Sequence, residues 1–212
     1  MMKNSAKFRV LAFVLVGLRS ICGAFASQGD IDFIGQNAYC LPDATGKYLI
    51  QNAILEDKVA QPGVSAQGGG CVARSLSEAW LAFQHPLNLT WHKTKADGFE
   101  VIKPLPADAA FGLIIKSKVD KYAPIHIARW KSEWIHSITK GSEAHPLQIT
   151  IRYRKTEGES NVRFWSGIIE LNEIAPNLSS FSVRDQIDAT QAGIRESEDA
   201  VRSLLEVARS AK

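Results

Sequence analysis

The stretch that decides the fold runs from residue 147 to residue 208 and reads LQITIRYRKTEGESNVRFWSGIIELNEIAPNLSSFSVRDQIDATQAGIRESEDAVRSLLEVA. Residues 147–187 alternate apolar and polar positions between turn sequences, which predicts consecutive β-strands. Residues 189–208 instead carry apolar side chains at helical spacing, namely Ile194, Val201, Leu204, Leu205 and Ala208. That helix must bury its apolar stripe, and the preceding sheet is the available partner. We therefore expect an α+β fold in which a curved antiparallel sheet grips a long C-terminal helix, with room for a cavity between them.

A short helix is predicted before the sheet. Ser75 or Ser77 is a natural N-cap, and Glu78 completes a capping box from Ser75. Pro86 ends the helix because the residue before a proline avoids helical geometry. One face of this helix is apolar and includes Leu76, Trp80 and Phe83.

Other strands are predicted at 99–102, 111–119, 125–138, 162–174 and 180–187. The strand 147–154 has the clearest alternation, and its inward-facing residues are Leu147, Ile149, Ile151 and Tyr153. Residues 52–59 fit either a short helix or a first strand. After residues 52–59, we expect the triplet Gly68-Gly69-Gly70 to interrupt regular secondary structure.

The N-terminus has the pattern of an export signal. A positively charged start precedes a short apolar core at residues 10–18, too short to span a bilayer as a helix. Ala24-Phe25-Ala26 then provides small residues at alternate positions, so we expect cleavage after Ala26. The expected location is the periplasm or the outside of a bacterial cell; a mitochondrial presequence or a membrane anchor is the alternative. The expected organisation is a signal peptide at 1–26, an N-terminal prologue packed on the domain at 27–61, and the main domain at 62–212.

Removing the leader changes the charge balance. The chain has 25 basic and 22 acidic residues, and residues 1–26 contain four of the basic ones and no acidic ones. The mature chain then has 21 basic against 22 acidic residues, which gives no argument for nucleic-acid binding. After cleavage, no further apolar run is long enough to cross a membrane.

Two cysteines, Cys40 and Cys71, remain after cleavage. In an oxidising compartment, such a pair is most simply a disulfide. Two separate buried thiols are the alternative.

Catalytic and metal-binding motifs are not found in the sequence. His126 and His136 lie ten residues apart on one predicted strand, about 33 Å, which is too far to share a metal ion. No HExxH pattern occurs, and Ser166 lacks the glycine that a nucleophile elbow places two residues before it. We therefore predict no catalytic residue, no metal and no cofactor.

The order of elements resembles the helix-grip fold of the START and polyketide-cyclase-like (SRPBCC) superfamily. The residues that carry the resemblance are 73–80, similar to a first strand entering a helix with an inner tryptophan, and 165–171 with 179–187, similar to the last hairpin. The resemblance begins near Val64 and continues to the end of the chain. It implies a cavity for a hydrophobic small molecule such as a lipid, sterol or polyketide, and it does not imply one activity.

Three functional hypotheses follow. The first is an exported protein that binds a hydrophobic small molecule, with these cavity walls: Trp80, Phe111, Leu113, Trp130, Tyr153, Phe181 and Ile194. The second is a cyclase- or dehydratase-like enzyme that uses His126 or Tyr153 as general acid or base. The third is an interaction module that presents Trp130, Trp134 and His126 as an exposed aromatic patch.

Overall fold

The computed structural model describes residues 39–48, 50, 54–59, 63–88, 90–91, 94–122, 126–190 and 194–210. These residues all belong to one compact unit, Phe33–Lys212. The expected signal peptide, 1–26, lies outside the described residues. The elements in chain order are β1 (Ile54–Val59), β2 (Val64–Val72), α1 (Leu76–Gln84), a 3-10 turn (Pro86–Asn88), β3 (Thr90–Trp91), β4 (Thr94–Val101), β5 (Phe111–Tyr122), β6 (His126–Gly141), β7 (Pro146–Gly158), β8 (Val162–Ala175), β9 (Leu178–Ala189) and α2 (Ile194–Ser210).

The described strands form one antiparallel sheet in the order β1-β2-β9-β8-β7-β6-β5-β4-β3. From β3 to β9 each strand pairs with the next one in sequence, so this part is a meander. Strand β2 pairs with β9, and this joins the N-terminal strands to the end of the meander. The expected α+β fold, with a curved antiparallel sheet and a C-terminal helix, is confirmed.

Helix α1 begins as its sequence predicts. Ser75 is the N-cap, its hydroxyl accepts a hydrogen bond from the backbone N–H of Glu78, and the Glu78 carboxylate accepts from the Ser75 N–H. The pKa of Glu78 is lowered mainly by its hydrogen bond with the Ser75 hydroxyl. The helix ends at Gln84, before His85 and Pro86.

Helix α2 packs on β2, β9 and α1. Its apolar face is buried, with Val201, Leu204, Leu205 and Ala208 all at most 1% exposed. The helix begins at Ile194, later than the predicted residue 189, because β9 continues to Ala189 and the Thr190 N–H bonds to the Asn161 carbonyl.

The prediction for the glycine triplet is wrong, because all three glycines lie inside β2. A Cβ added to Gly69 would lie 2.0 Å from the backbone oxygen of Phe181 on β9. The triplet therefore allows a close approach of two strands. Strand β4 also begins at Thr94, five residues before the predicted start.

Strand β7 has three of its four predicted inward residues in the core, but the expectation that Thr150 faces outward to solvent is wrong, because Thr150 is buried too. Ile149, Ile151 and Tyr153 are buried in the core. Leu147, which we expected beside them, is 51% exposed because it lies at the end of the strand, one residue after Pro146.

The disulfide between Cys40 and Cys71 is present, and it joins residues 31 positions apart with a Cα–Cα distance of 4.8 Å. It attaches the segment around Tyr39 to the end of β2, and both half-cystines are buried.

Candidate functional site

The side of the sheet that faces the core carries four aromatic side chains in mutual contact. Trp134 stacks on Tyr153 with ring centroids 4.4 Å apart. Trp165 lies 4.9 Å from the Tyr153 ring and 6.0 Å from Trp134, and Trp130 meets Trp165 edge-on at 6.1 Å. All four are at most 5% exposed. This aromatic cluster forms the central wall of the interior.

A glycine makes room for the cluster. Gly167 on β8 pairs with Tyr153 on β7, and a Cβ at Gly167 would lie 2.2 Å from the Tyr153 ring carbon Cζ and hydroxyl. Any larger residue at this position would push the tyrosine away from its present place. The sequence FWSGIIE therefore supplies both Trp165 and, at Gly167, the space that the Tyr153 ring occupies.

A buried carboxylate, Asp185 on β9, lies beneath this cluster. It accepts hydrogen bonds from the Tyr153 hydroxyl at 2.6 Å and from the Trp165 indole N–H at 2.8 Å. The Ser197 hydroxyl of α2 lies 2.8 Å from Oδ2 and 3.1 Å from the backbone oxygen of the same residue. Ser197 in turn accepts from the Ala66 N–H at 3.1 Å. Asp185 thus ties α2 to strands β2, β7, β8 and β9.

Burial dominates the electrostatics of this group. Desolvation raises the pKa of Asp185 to about 6, against the lowering effect of its hydrogen bonds with Tyr153, Ser197 and Trp165. The pKa of the Tyr153 hydroxyl is raised well above its usual value by burial, by the nearby Asp185 charge and by their hydrogen bond. Tyr153 therefore stays a neutral donor at physiological pH.

A second buried polar group, His136, lies two residues along β6 from Trp134. It is fully buried, and its Nδ1 accepts a hydrogen bond from the Trp80 indole N–H on α1 at 3.0 Å. Phe111 contacts its ring edge-on at 5.2 Å. Burial lowers the pKa of His136 to about 3, so the ring is neutral.

Several buried polar side-chain atoms of the described residues have no hydrogen-bond partner there. Two of them are N–H groups on β6, His136 Nε2 and Trp130 Nε1. The Trp134 indole, between them, donates to Ser132 Oγ at 2.9 Å. A buried donor without an acceptor is costly, so each marks a place where an acceptor is expected.

The seven predicted wall residues are distributed as follows. Leu113, Trp130, Tyr153 and Phe181 are buried in the core, and Trp80 and Phe111 are half-buried against it. The side chain of Ile194 lies outside the described part of the chain. Their contact with a ligand stays a prediction.

The prediction of an exposed aromatic patch is wrong for Trp130 and Trp134. Trp130 is 5% exposed and Trp134 is 1% exposed, so neither can be presented to a partner. Alternate residues of a strand face the same side of the sheet, so Trp130 and Trp134 share the core-facing side of β6 with the buried residues Ser132 and His136. The side chain of His126 lies outside the described residues.

Sequence reasoning missed Asp185 and its partner Ser197. A signal was present, because Asp185 has the same strand parity as Phe181, Val183 and Ile187, all of which the alternation places on one side. A carboxylate in such an apolar row must be hydrogen-bonded within the fold.

The described residues contain neither a cluster of metal ligands nor a membrane-spanning helix. Within the described ranges, no three His, Cys, Asp or Glu side chains come together in a way that could hold a metal ion. Neither described helix combines the length and apolar character needed to cross a bilayer.

Three solved structures with a similar fold are described as lipid-transfer domains or proteins. The human StarD13 (DLC2) lipid transfer and protein localization domain gives a TM-score of 0.53 at 11% identity, covering 76% of this chain and 86% of that one. Human StAR-related lipid transfer protein 5 gives 0.53 at 13% identity, covering 74% and 82%. A STAR-related lipid transfer protein from Xanthomonas axonopodis gives 0.51 at 11% identity, covering 76% and 93%.

These likenesses define the class of fold. No protein-family model matches the chain, and no curated protein matches its sequence. The chain has the helix-grip fold that these START-related domains share, so the fold expected from the sequence is confirmed.

Proposed function

We propose that this protein is exported and binds a hydrophobic small molecule between the inner face of the sheet and helix α2. One observation carries the proposal: an aromatic wall of Trp130, Trp134, Tyr153 and Trp165 lies in the same interior as two buried donors without a described acceptor. Apolar surface with a few polar groups is the usual composition of a small-molecule site.

The fold supports the same proposal. The solved structures similar to this chain include lipid-transfer domains, and a shared fold favours a hydrophobic ligand. The ligand class proposed here is therefore lipid, sterol or polyketide-like.

Binding without turnover fits the chemistry better than catalysis does. The enzyme hypothesis needs His126 or Tyr153 free to exchange a proton with a substrate, and of these two side chains the structure describes only Tyr153. In the structure its hydroxyl donates to Asp185, and that carboxylate also accepts from Trp165 and Ser197. This arrangement is typical of a satisfied structural network.

The ligand test is native mass spectrometry of the protein purified from its own host, beside a denatured sample. We expect an apolar adduct that is lost on denaturation. As a matched pair, Leu113→Phe fills the interior and should lower uptake of a lipid and sterol panel, whereas Leu147→Phe adds the same ring at an exposed position and should not. A bare mass with no uptake from the panel would refute the binding function.

Export is tested separately by sequencing the N-terminus of the protein recovered from the periplasm or medium. Cleavage after Ala26 predicts a mature protein that begins at Ser27. Ala24→Glu should block processing, because the third residue before the cleavage site must be small. Recovery of the uncleaved chain in the cytoplasm would refute the proposal that the protein is exported.

A further inference from the structure

The chemistry of His136 is fixed by its neighbour on α1. An indole N–H can only donate, so Nδ1 of His136 must be the acceptor of the 3.0 Å bond from Trp80. The single proton of the neutral imidazole is then on Nε2. His136 therefore presents one N–H donor, in a known tautomer, to its surroundings.

The surroundings of that donor are apolar. Phe111 lies edge-on to the ring, and across the strands Phe111 and Ile151 are the register partners of His136. Nε2 has no hydrogen-bond partner anywhere in the described ranges, and the residue is fully buried. The imidazole thus keeps one buried N–H for which the described chain provides no acceptor.

We infer that the ligand is an electrically neutral, largely apolar molecule with an oxygen acceptor, and that this oxygen accepts a hydrogen bond from His136 Nε2. The inference rests on the proposed function and names the chemical class that the site recognises. A ketone, ester, ether or alcohol oxygen satisfies it, and a pure hydrocarbon does not.

Charge in the same interior argues against an anionic ligand. Asp185 lies next to Tyr153 and Trp165 in the aromatic wall, and it is mostly ionised at pH 7. A buried ligand carboxylate would need a cation, whereas His136 stays neutral, because a protonated Nδ1 would face the Trp80 N–H.

The test compares two probes with one carbon skeleton, 2-acetonaphthalene and 2-ethylnaphthalene. Their affinities are measured by quenching of tryptophan fluorescence for three proteins. These are the wild type; His136→Asn, whose side-chain oxygen can still accept from Trp80 while its shorter amide group does not reach the position of Nε2; and the matched control Ser137→Ala, which removes a buried, unpartnered hydroxyl from the next residue of β6. The quantity of interest is the ratio of ketone affinity to hydrocarbon affinity, because it cancels changes that affect both probes.

The expected result is a ratio that falls about tenfold in His136→Asn and stays unchanged in Ser137→Ala, since the ketone loses its hydrogen bond only in the first variant. An unchanged ratio in His136→Asn overturns the inference, while binding of both probes still supports the proposed function. A ratio that falls only in Ser137→Ala also overturns it, by assigning the oxygen to the Ser137 hydroxyl. Binding of neither probe refutes the proposed function and the inference together.

A readout on the wild type covers the case in which His136→Asn does not fold. The infrared carbonyl band of bound 2-acetonaphthalene should move to lower wavenumber than in an alkane, as for a hydrogen-bonded ketone. The nitrogen NMR signals of His136 should show the proton on Nε2 and shift with the ketone more than with the hydrocarbon. A carbonyl band at its alkane position would overturn the inference.

Discussion

Replacing Asp185 with asparagine should remove a pH dependence of stability that runs opposite to that of most carboxylates. Asp185 has a native-state pKa of about 6 against an ordinary value of 3.8, because burial disfavours its charge. Between these two values the native state binds more protons than the unfolded chain. The free energy of unfolding contributed by this group is therefore highest below pH 4 and falls as pH rises through 6.

The magnitude follows from the two pKa values. The difference between 3.8 and about 6 corresponds to about 3 kcal/mol of unfolding free energy. Nearly all of this stability is lost by pH 7, where the buried carboxyl is charged. Asparagine can keep the local hydrogen bonds: its oxygen can accept from Tyr153 and Trp165, and its amide can donate to Ser197. The variant should therefore fold.

The assay is urea unfolding of the wild type and Asp185→Asn at several pH values from 4 to 7. Subtracting the two curves removes the contribution of the other carboxylates, such as Glu78 and Asp188, whose pKa values are lowered by hydrogen bonds with Ser75 and Arg163. We expect the wild-type free energy of unfolding to fall relative to the variant by about 3 kcal/mol across this range. A difference curve that is flat, or that rises with pH, would refute the argument that burial controls this carboxylate.

Three further substitutions test the packing around the site. Tyr153→Phe should lower the free energy of unfolding at pH 7 by about 2 kcal/mol, because Asp185 loses a donor; urea unfolding should show a smaller loss at pH 4, where the carboxyl is neutral, and equal losses would contradict this. Gly167→Ala should displace the Tyr153 ring and cost about 1–3 kcal/mol, visible as a changed near-ultraviolet circular dichroism spectrum; an unchanged spectrum and stability would argue against the contact. The double variant Cys40→Ser and Cys71→Ser should lose about 3 kcal/mol, given the 31-residue separation, relative to the oxidised wild type, and reduced wild type is the control that should match it.

The sequence was most informative where one local rule decided the structure. The capping box of Ser75 and Glu78 placed the start of α1, and strict alternation placed Ile149, Ile151 and Tyr153 in the core. Prediction from the sequence failed where the local structure depends on contact with a segment far away in the chain. The glycine triplet has the composition of a loop, and it forms a strand because β9 approaches it closely and supplies the backbone hydrogen bonds.

The candidate site could be predicted only in part for the same reason. Parity along β6 indicated that Trp130, Trp134 and His136 share a face, but not whether that face is buried or exposed. The bond between Trp80 and His136 spans 56 residues, and the bond between Tyr153 and Asp185 spans 32. Such contacts depend on how strands and helices meet, which residue spacing alone does not contain.

The two polar groups of the interior have different partners, and this separates stability from recognition. Asp185 is satisfied by the chain itself, from Tyr153, Trp165 and Ser197, so its replacement should act on stability. His136 keeps one N–H for which the described chain offers no acceptor, so its replacement should act on ligand choice. Asp185→Asn should therefore change the pH profile of unfolding and leave the ratio of ketone to hydrocarbon affinity unchanged. His136→Asn should lower that ratio and also remove a pH dependence of the opposite sign. The pKa of His136 is about 3 when folded against an ordinary 6.5, so the unfolded chain binds the extra proton and the wild type loses stability as pH falls from 7 to 4. If Asp185→Asn also changed the ratio, the two groups would belong to one coupled network, and the donor of His136 could not be assigned to the ligand alone.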